Sequence, residues 1–177
     1  MIYVQQPYFR RTTKQGSPDG VVSFTYGGAV AEFDRSRVVA ASPTQIWDVL
    51  ADFGAIATWL DVDHSCILTR GPDGGLVGTA RRVQIGRNTL VETVTECDPQ
   101  YVLAYEIEGL PKFLGTVSNR WKLEPTSGGE TVVTITSTVR KGRGRTQQLV
   151  ERLATRALAR GSDTMLAALA KRLENTT

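Results

Sequence analysis

TQQLVERLATRALARGSDTMLAALAKRLEN, residues 146–175, decides the fold. Leu149, Leu153, Ala157, Gly161, Met165, Leu169 and Leu173 recur every four residues, with Val150, Ala154, Leu158 and Ala168 beside them. That is the apolar stripe of an amphipathic helix. Thirty residues at 1.5 Å each make a rod of about 45 Å, long enough to cross a small domain. A rod of that length needs a partner surface of similar length. No other segment has helical length, and the preceding chain reads mainly as strands, so the expected partner is a sheet curved around the helix. Ala154, Ala157 and Gly161 thin the middle of the stripe. Either helix and sheet stand apart there and leave a cavity, or the small residues permit close packing.

Working back from the helix, the segments TVVTITSTVRK, VSNRWKLEP, YVLAYEIEG, TLVETVTEC, TARRVQI and CILTR read as six strands separated by turns. TSGG and RGPDGGLVG supply two of the turns. Ahead of them, PTQIWDVLADFGAIATWL carries two short helices broken at Gly54, started by Ser42 as a cap and Pro43 in the first turn. AEFDRSRVVA is one more strand. Strands grouped apart from helices make an α+β domain rather than a parallel sheet. Residues 31–177 form this domain, and residues 1–30 are an N-terminal extension, either an accessory hairpin or an arm.

The 177 residues suit one domain able to bury about 70% of its unfolded surface. A content of 41% hydrophobic and 22% charged residues is that of an ordinary globular protein. No signal-peptide run and no apolar stretch of spanning length is visible, which points to a cytoplasmic protein without integral membrane association. Cys66 and Cys97 lie in separate strands without metal-ligand spacing, and are expected to be buried free thiols. No metal and no cofactor is expected. The net charge of +3 is unevenly placed, because nine basic residues follow position 139 against three acidic ones. Arg152, Arg156 and Arg160 share one helical ridge. It reads as a solvated face, or as a weak contact for an anionic surface. Nucleic acid is not an expected partner, since aromatic residues do not interleave with the ridge.

The order of strand, two short helices, six strands and long helix resembles the helix-grip fold of START domains, the major birch-pollen allergen and bacterial polyketide cyclases. VVAASPTQIWDVLADFGAIATWL at 38–60, GPDGGLVGTARRV at 71–83, YVLAYEIEGLP at 101–111 and WKLEPTSGGETVVTITSTV at 121–139 resemble the polyketide cyclase/dehydrase and lipid-transport branch of the START-like (SRPBCC) superfamily. The resemblance implies a seven-stranded antiparallel sheet curved around the C-terminal helix, and a pocket for an apolar or amphipathic molecule. Members include carriers and cyclases, so the fold does not choose between them.

Period-two alternation nominates the residues facing such a pocket. The apolar phases are Tyr101, Leu103, Tyr105 and Ile107; Val117, Asn119, Trp121 and Leu123; and Val133, Ile135, Ser137 and Val139. The Tyr105 hydroxyl, Asn119 and Ser137 then need hydrogen-bond partners, which the protein, water or a ligand can supply. Arg81 falls in phase with Val83 and Ile85, and Glu92 with Leu90 and Val94, whereas Val91 argues for the opposite phase. The two charges form either a buried pair beside the pocket or a surface cross-strand pair. His64, the only histidine, is a candidate for acid–base chemistry that Asp61 or Asp63 would orient. LPKFLG, with Leu110 and Phe113, is an apolar connection that suits a lid or a subunit contact.

Catalytic candidates are therefore His64, Tyr105, Arg81 and Glu92. Expected ligand contacts are Trp59, Arg81, Tyr105, Leu110 and Phe113 on one side, and Asn119, Trp121, Ser137, Leu158 and Met165 on the other. Binding of a small hydrophobic molecule is the leading expectation. A cyclase, aromatase or dehydratase is the alternative, and an interaction module using the basic ridge is the third.

Overall fold

A computed structural model describes residues 12–17, 20–27, 30–111, 114–140 and 148–175. Nine strands form one antiparallel sheet: β1 (Thr12–Ser17), β2 (Gly20–Gly27), β3 (Val30–Val39), β4 (His64–Thr69), β5 (Ala80–Ile85), β6 (Asn88–Asp98), β7 (Val102–Glu108), β8 (Thr116–Pro125) and β9 (Thr131–Arg140). Their spatial order is β1-β2-β3-β9-β8-β7-β6-β5-β4. Strands β3 to β9 are the seven that the alternation outlines. The extension adds two more, as the hairpin β1–β2 pairs Phe24 with Phe33 and Gly27 with Val30.

Helix α1 (Pro43–Ala51) and a 3-10 helix (Phe53–Thr58) separate β3 from β4. Ser42 caps α1 in a reciprocal box: its Oγ accepts from Gln45 N, and Gln45 Oε1 accepts from Ser42 N at 2.9 Å. Proline in the first turn has no N–H left to satisfy. Two donors freed at the helix start are thus paired, and the chain turns from strand to helix within three residues.

The helix α2 (Gln148–Glu174) runs 27 residues, about 40 Å, against the concave face of the sheet. Leu166, Leu169 and Leu173 are buried in the common core with Trp121, Val133 and Ile135. Each such side chain contributes about 1.5–3 kcal/mol by leaving water. A stripe repeating every four residues drifts by about 40° per step on a helix of 3.6 residues per turn. For that reason Leu169 and Leu173 sit in the core while Gly161 is exposed and Met165 half-buried. Ala159 and Ser162 fill the core positions that the drift vacates. An ion pair between Arg35 on β3 and Asp163, 3.1 Å long, also joins sheet to helix.

Alternation governs β8 and β9 as expected: Val117, Asn119, Trp121 and Leu123 are buried, as are Val133, Ile135, Ser137 and Val139. Tyr101 is a correction. It lies in the turn before β7 and is 57% exposed, because Tyr101 N bonds back to Asp98 O and the strand begins only at Val102. In β6 the inward phase is that of Leu90, Glu92 and Val94, and Val91, paired with the exposed Arg82, is half-buried on the other face. The register slips between Val94 and Glu96, opposite Tyr105 and Ala104, so Glu92 and Val94 face inward before the bulge and Cys97 after it. Cys66 and Cys97 are free and half-buried rather than fully buried.

Candidate functional site

Between the 3-10 helix, strands β5 to β8 and helix α2 lies a cavity of about 330 Å³. Ten of its fifteen described lining residues are apolar: Ile56, Leu60, Val62, Val83, Ile85, Leu90, Ile107, Leu110, Leu158 and Met165. The remaining five are Asp61, Glu92, Asn119, Gly161 and Thr164. Gly161 opens the helix side, since a Cβ built there meets no heavy atom within 4 Å. Of the two readings of the thin stripe, the structure has the cavity at this residue.

A charged pair stands beside the cavity. Arg81 on β5 and Glu92 on β6 are register partners, 4% and 7% exposed. Arg81 Nε and Nη2 both donate to Glu92 Oε2, each at 2.6 Å, and Nη1 donates to the Phe53 carbonyl at 2.6 Å. The guanidinium also lies 3.9 Å over the Phe53 ring and 5.4 Å from the Tyr105 ring. Of the two readings of this pair, the structure has the buried one. The charge is tolerable there because every nitrogen of the guanidinium has a partner.

Behind the cavity a neutral network ties the sheet to α2. Tyr105 Oη accepts from Asn119 Nδ2 and Trp121 Nε1, both at 3.4 Å, and donates to Met165 Sδ at 3.9 Å. Ser137 Oγ donates to Asn119 Oδ1 at 2.8 Å and meets Ser162 Oγ at 3.1 Å, while Ser162 donates to the Leu158 carbonyl. The three polar groups placed in apolar phases are thus partnered within the protein. Burial, reinforced by the Glu92 carboxylate, pushes the Tyr105 phenol up. The hydroxyl stays protonated at neutral pH.

Of the nominated contacts, Leu110, Asn119, Leu158 and Met165 line the cavity, and so does Glu92. Trp59, Arg81, Tyr105 and Trp121 surround a separate hollow of about 10 Å³, room for one water. Trp59 and Trp121 meet edge to face at 6.5 Å. Ser137 lies deeper, in the network. Phe113 falls outside the described residues. So do the side chains of Arg152 and Arg156, while Arg160 is exposed. His64 is exposed on the edge strand β4 and does not line the cavity. It pairs with Gln84, one position out of phase with the buried Val83, so alternation turns it to the outer face. Asp63 accepts from the Gly86 amide instead. In the lid segment Leu110 touches the cavity and Leu114 is buried in the core.

Ile107, in the inward phase of β7, lines the cavity too, and among the lining residues not nominated Val83, Ile85 and Leu90 lie in the inward phases and were findable by alternation. Leu60, Asp61 and Val62 follow the 3-10 helix in an irregular segment, which periodicity does not reach. Among the described residues no three metal-capable side chains converge, and no helix is long and apolar enough to cross a membrane.

Residues 30–174 match the family model described as polyketide cyclase/dehydrase and lipid transport. This chain belongs to that family. Solved structures share its fold. One is the Zhui aromatase/cyclase from a Streptomyces species, at 20% identity and a TM-score of 0.68 over 82% of this chain and 94% of that one. A START superfamily protein from Mycobacterium smegmatis gives 19% identity and a TM-score of 0.64, covering 82% and 99%. The di-domain ARO/CYC StfQ of the steffimycin biosynthetic pathway gives 19% identity and 0.68, covering 84% of this chain and 52% of that one. No curated protein matches the sequence. At these identities the fold is common ground and no more.

Proposed function

We propose that this chain binds one small, largely apolar molecule in the cavity between the sheet and α2. The observation that carries this reading is the cavity itself, about 330 Å³ with ten apolar walls and few polar groups. That volume lies at the lower end of the roughly 300–1,000 Å³ typical of small-molecule sites. Leu110 gives the connection after β7 a place in the cavity wall, as a lid would have. Calorimetry with a medium-chain alcohol tests the reading. One molecule should bind with a negative heat-capacity change, and Gly161→Phe, whose ring would occupy the cavity, should abolish binding. Undiminished binding by a folded Gly161→Phe protein would overturn it.

A cyclase, aromatase or dehydratase reading is favoured by one observation, the carboxylate of Glu92 on the cavity wall. Of the four catalytic candidates it alone lines the cavity. Arg81 has its nitrogens engaged, the Tyr105 hydroxyl is held by Asn119, Trp121 and Met165, and His64 is on the outer face. If the chain catalyses proton transfer, Glu92→Gln removes turnover while the cavity still admits ligand.

A further inference from the structure

Glu92 has one oxygen to spare. Both Arg81 bonds reach Oε2, and among the described residues none donates to Oε1. Among the described residues the one fully buried side-chain nitrogen or oxygen without a partner is Trp59 Nε1. Oε1 is therefore not sealed off, and the surface its side chain retains, 9% of the total, opens where Glu92 lines the cavity. The charged residues on the described cavity wall are Asp61 and Glu92, both acidic, and no lysine or arginine joins them. Asn119 adds a neutral amide, its oxygen already taken by Ser137 and its nitrogen already donating to Tyr105.

We propose that this cavity selects neutral apolar molecules bearing a hydroxyl, which donates to Glu92 Oε1, over the same skeleton ending in a carboxylate. The inference rests on the cavity-binding reading above and adds the polar chemistry of the ligand. A hydroxyl supplies a donor without bringing charge, and a hydrogen bond to a charged acceptor is among the stronger ones. A carboxylate would enter an apolar space, face another carboxylate and find no cation among the described wall residues. A hydrocarbon or ether would leave Oε1 dehydrated and unpaired. An ammonium would crowd a second cation onto a carboxylate that Arg81 already balances.

Decanol, decanoic acid and the methyl ether of decanol, titrated into the full chain at neutral pH, test this directly. A bond to a charged acceptor is worth about 1.5–3 kcal/mol, so decanol should bind roughly ten- to a hundredfold more tightly than the ether. The acid should bind more weakly still. In Glu92→Gln the alcohol's advantage over the acid should fall to within about threefold, with the amide now able to donate to a carboxylate. The double variant Arg81→Met/Glu92→Leu, which keeps an apolar wall, should lose the alcohol's preference over the ether as well. Acid binding equal to or tighter than alcohol in the unaltered chain overturns the inference, as does an alcohol preference that survives both variants. If none of the three ligands binds, the cavity-binding reading itself fails; if all bind alike, only the hydroxyl selectivity does.

Discussion

Breaking the Arg81–Glu92 pair from one side should cost far more than removing it whole. In Arg81→Met the Glu92 carboxylate, 7% exposed, loses both its 2.6 Å bonds and is left buried without a cation. In Glu92→Leu the guanidinium, 4% exposed, keeps only the Phe53 carbonyl and the ring contacts. Stranding a buried charge in this way costs about 3–5 kcal/mol. For a chain of this size each kcal/mol moves Tm by about 2–4 °C, so either single change should lower it by about 6–20 °C. In Arg81→Met/Glu92→Leu no charge remains, and apolar side chains of comparable volume occupy the space. The double variant should lie within about 2 kcal/mol of the unaltered chain, with a coupling energy of at least 4 kcal/mol. Urea unfolding followed by circular dichroism measures all four corners of the cycle. Single costs below 1 kcal/mol that simply add would refute the reasoning, because they would mean that the two groups are solvated rather than buried against each other.

Other substitutions give smaller and differently signed effects. Gly161→Ala should stabilise the chain by about 0.8–1 kcal/mol, since alanine is the better helix former and its methyl meets nothing within 4 Å; a lower urea midpoint would contradict this. Ser137→Ala leaves Asn119 Oδ1 without its donor and Ser162 without its partner across the sheet–helix contact, and should cost about 1–3 kcal/mol by the same assay. The Tyr105 phenol, raised by burial first and by Glu92 second, holds its proton more tightly in the folded chain than in the unfolded one. Its contribution to stability is full below about pH 10 and declines as pH rises through the folded-state value, so Tyr105→Phe should flatten the alkaline limb of a stability–pH curve.

The fold was legible in the sequence because its signals are local and repeated. Ser42 and Pro43 mark the start of α1, and alternation in β8 and β9 separates buried from exposed residues without error at Asn119 and Ser137. The long apolar stripe announces α2. What alternation does not settle is a strand with apolar residues on both faces: Val91 is half-buried on the face opposite Leu90 and Val94, so whether Arg81 met Glu92 inside or outside was undetermined from the residues. The site was legible in part. Leu110, Asn119, Leu158 and Met165 lie on the cavity wall because strand phase and helix stripe both have a period. Trp59, Tyr105 and Trp121 point inward too, but inward here leads to two places, the cavity and the small hollow behind it. Periodicity gives a side chain's face, not its depth along that face. His64 illustrates the complementary limit. Its chemistry recommended it, and its register opposite Gln84 places it on the outer face.

Methyl chemical-shift mapping of the full chain during titration with decanol shows whether the cavity between sheet and α2 takes up an apolar molecule. Saturating shifts are expected at Ile56, Val83, Leu90, Ile107, Leu158 and Met165, which line the cavity, and none at the exposed Val38 and Leu68. Shifts scattered over the outer face, or no shifts at cavity methyls at saturating alcohol, would contradict that uptake.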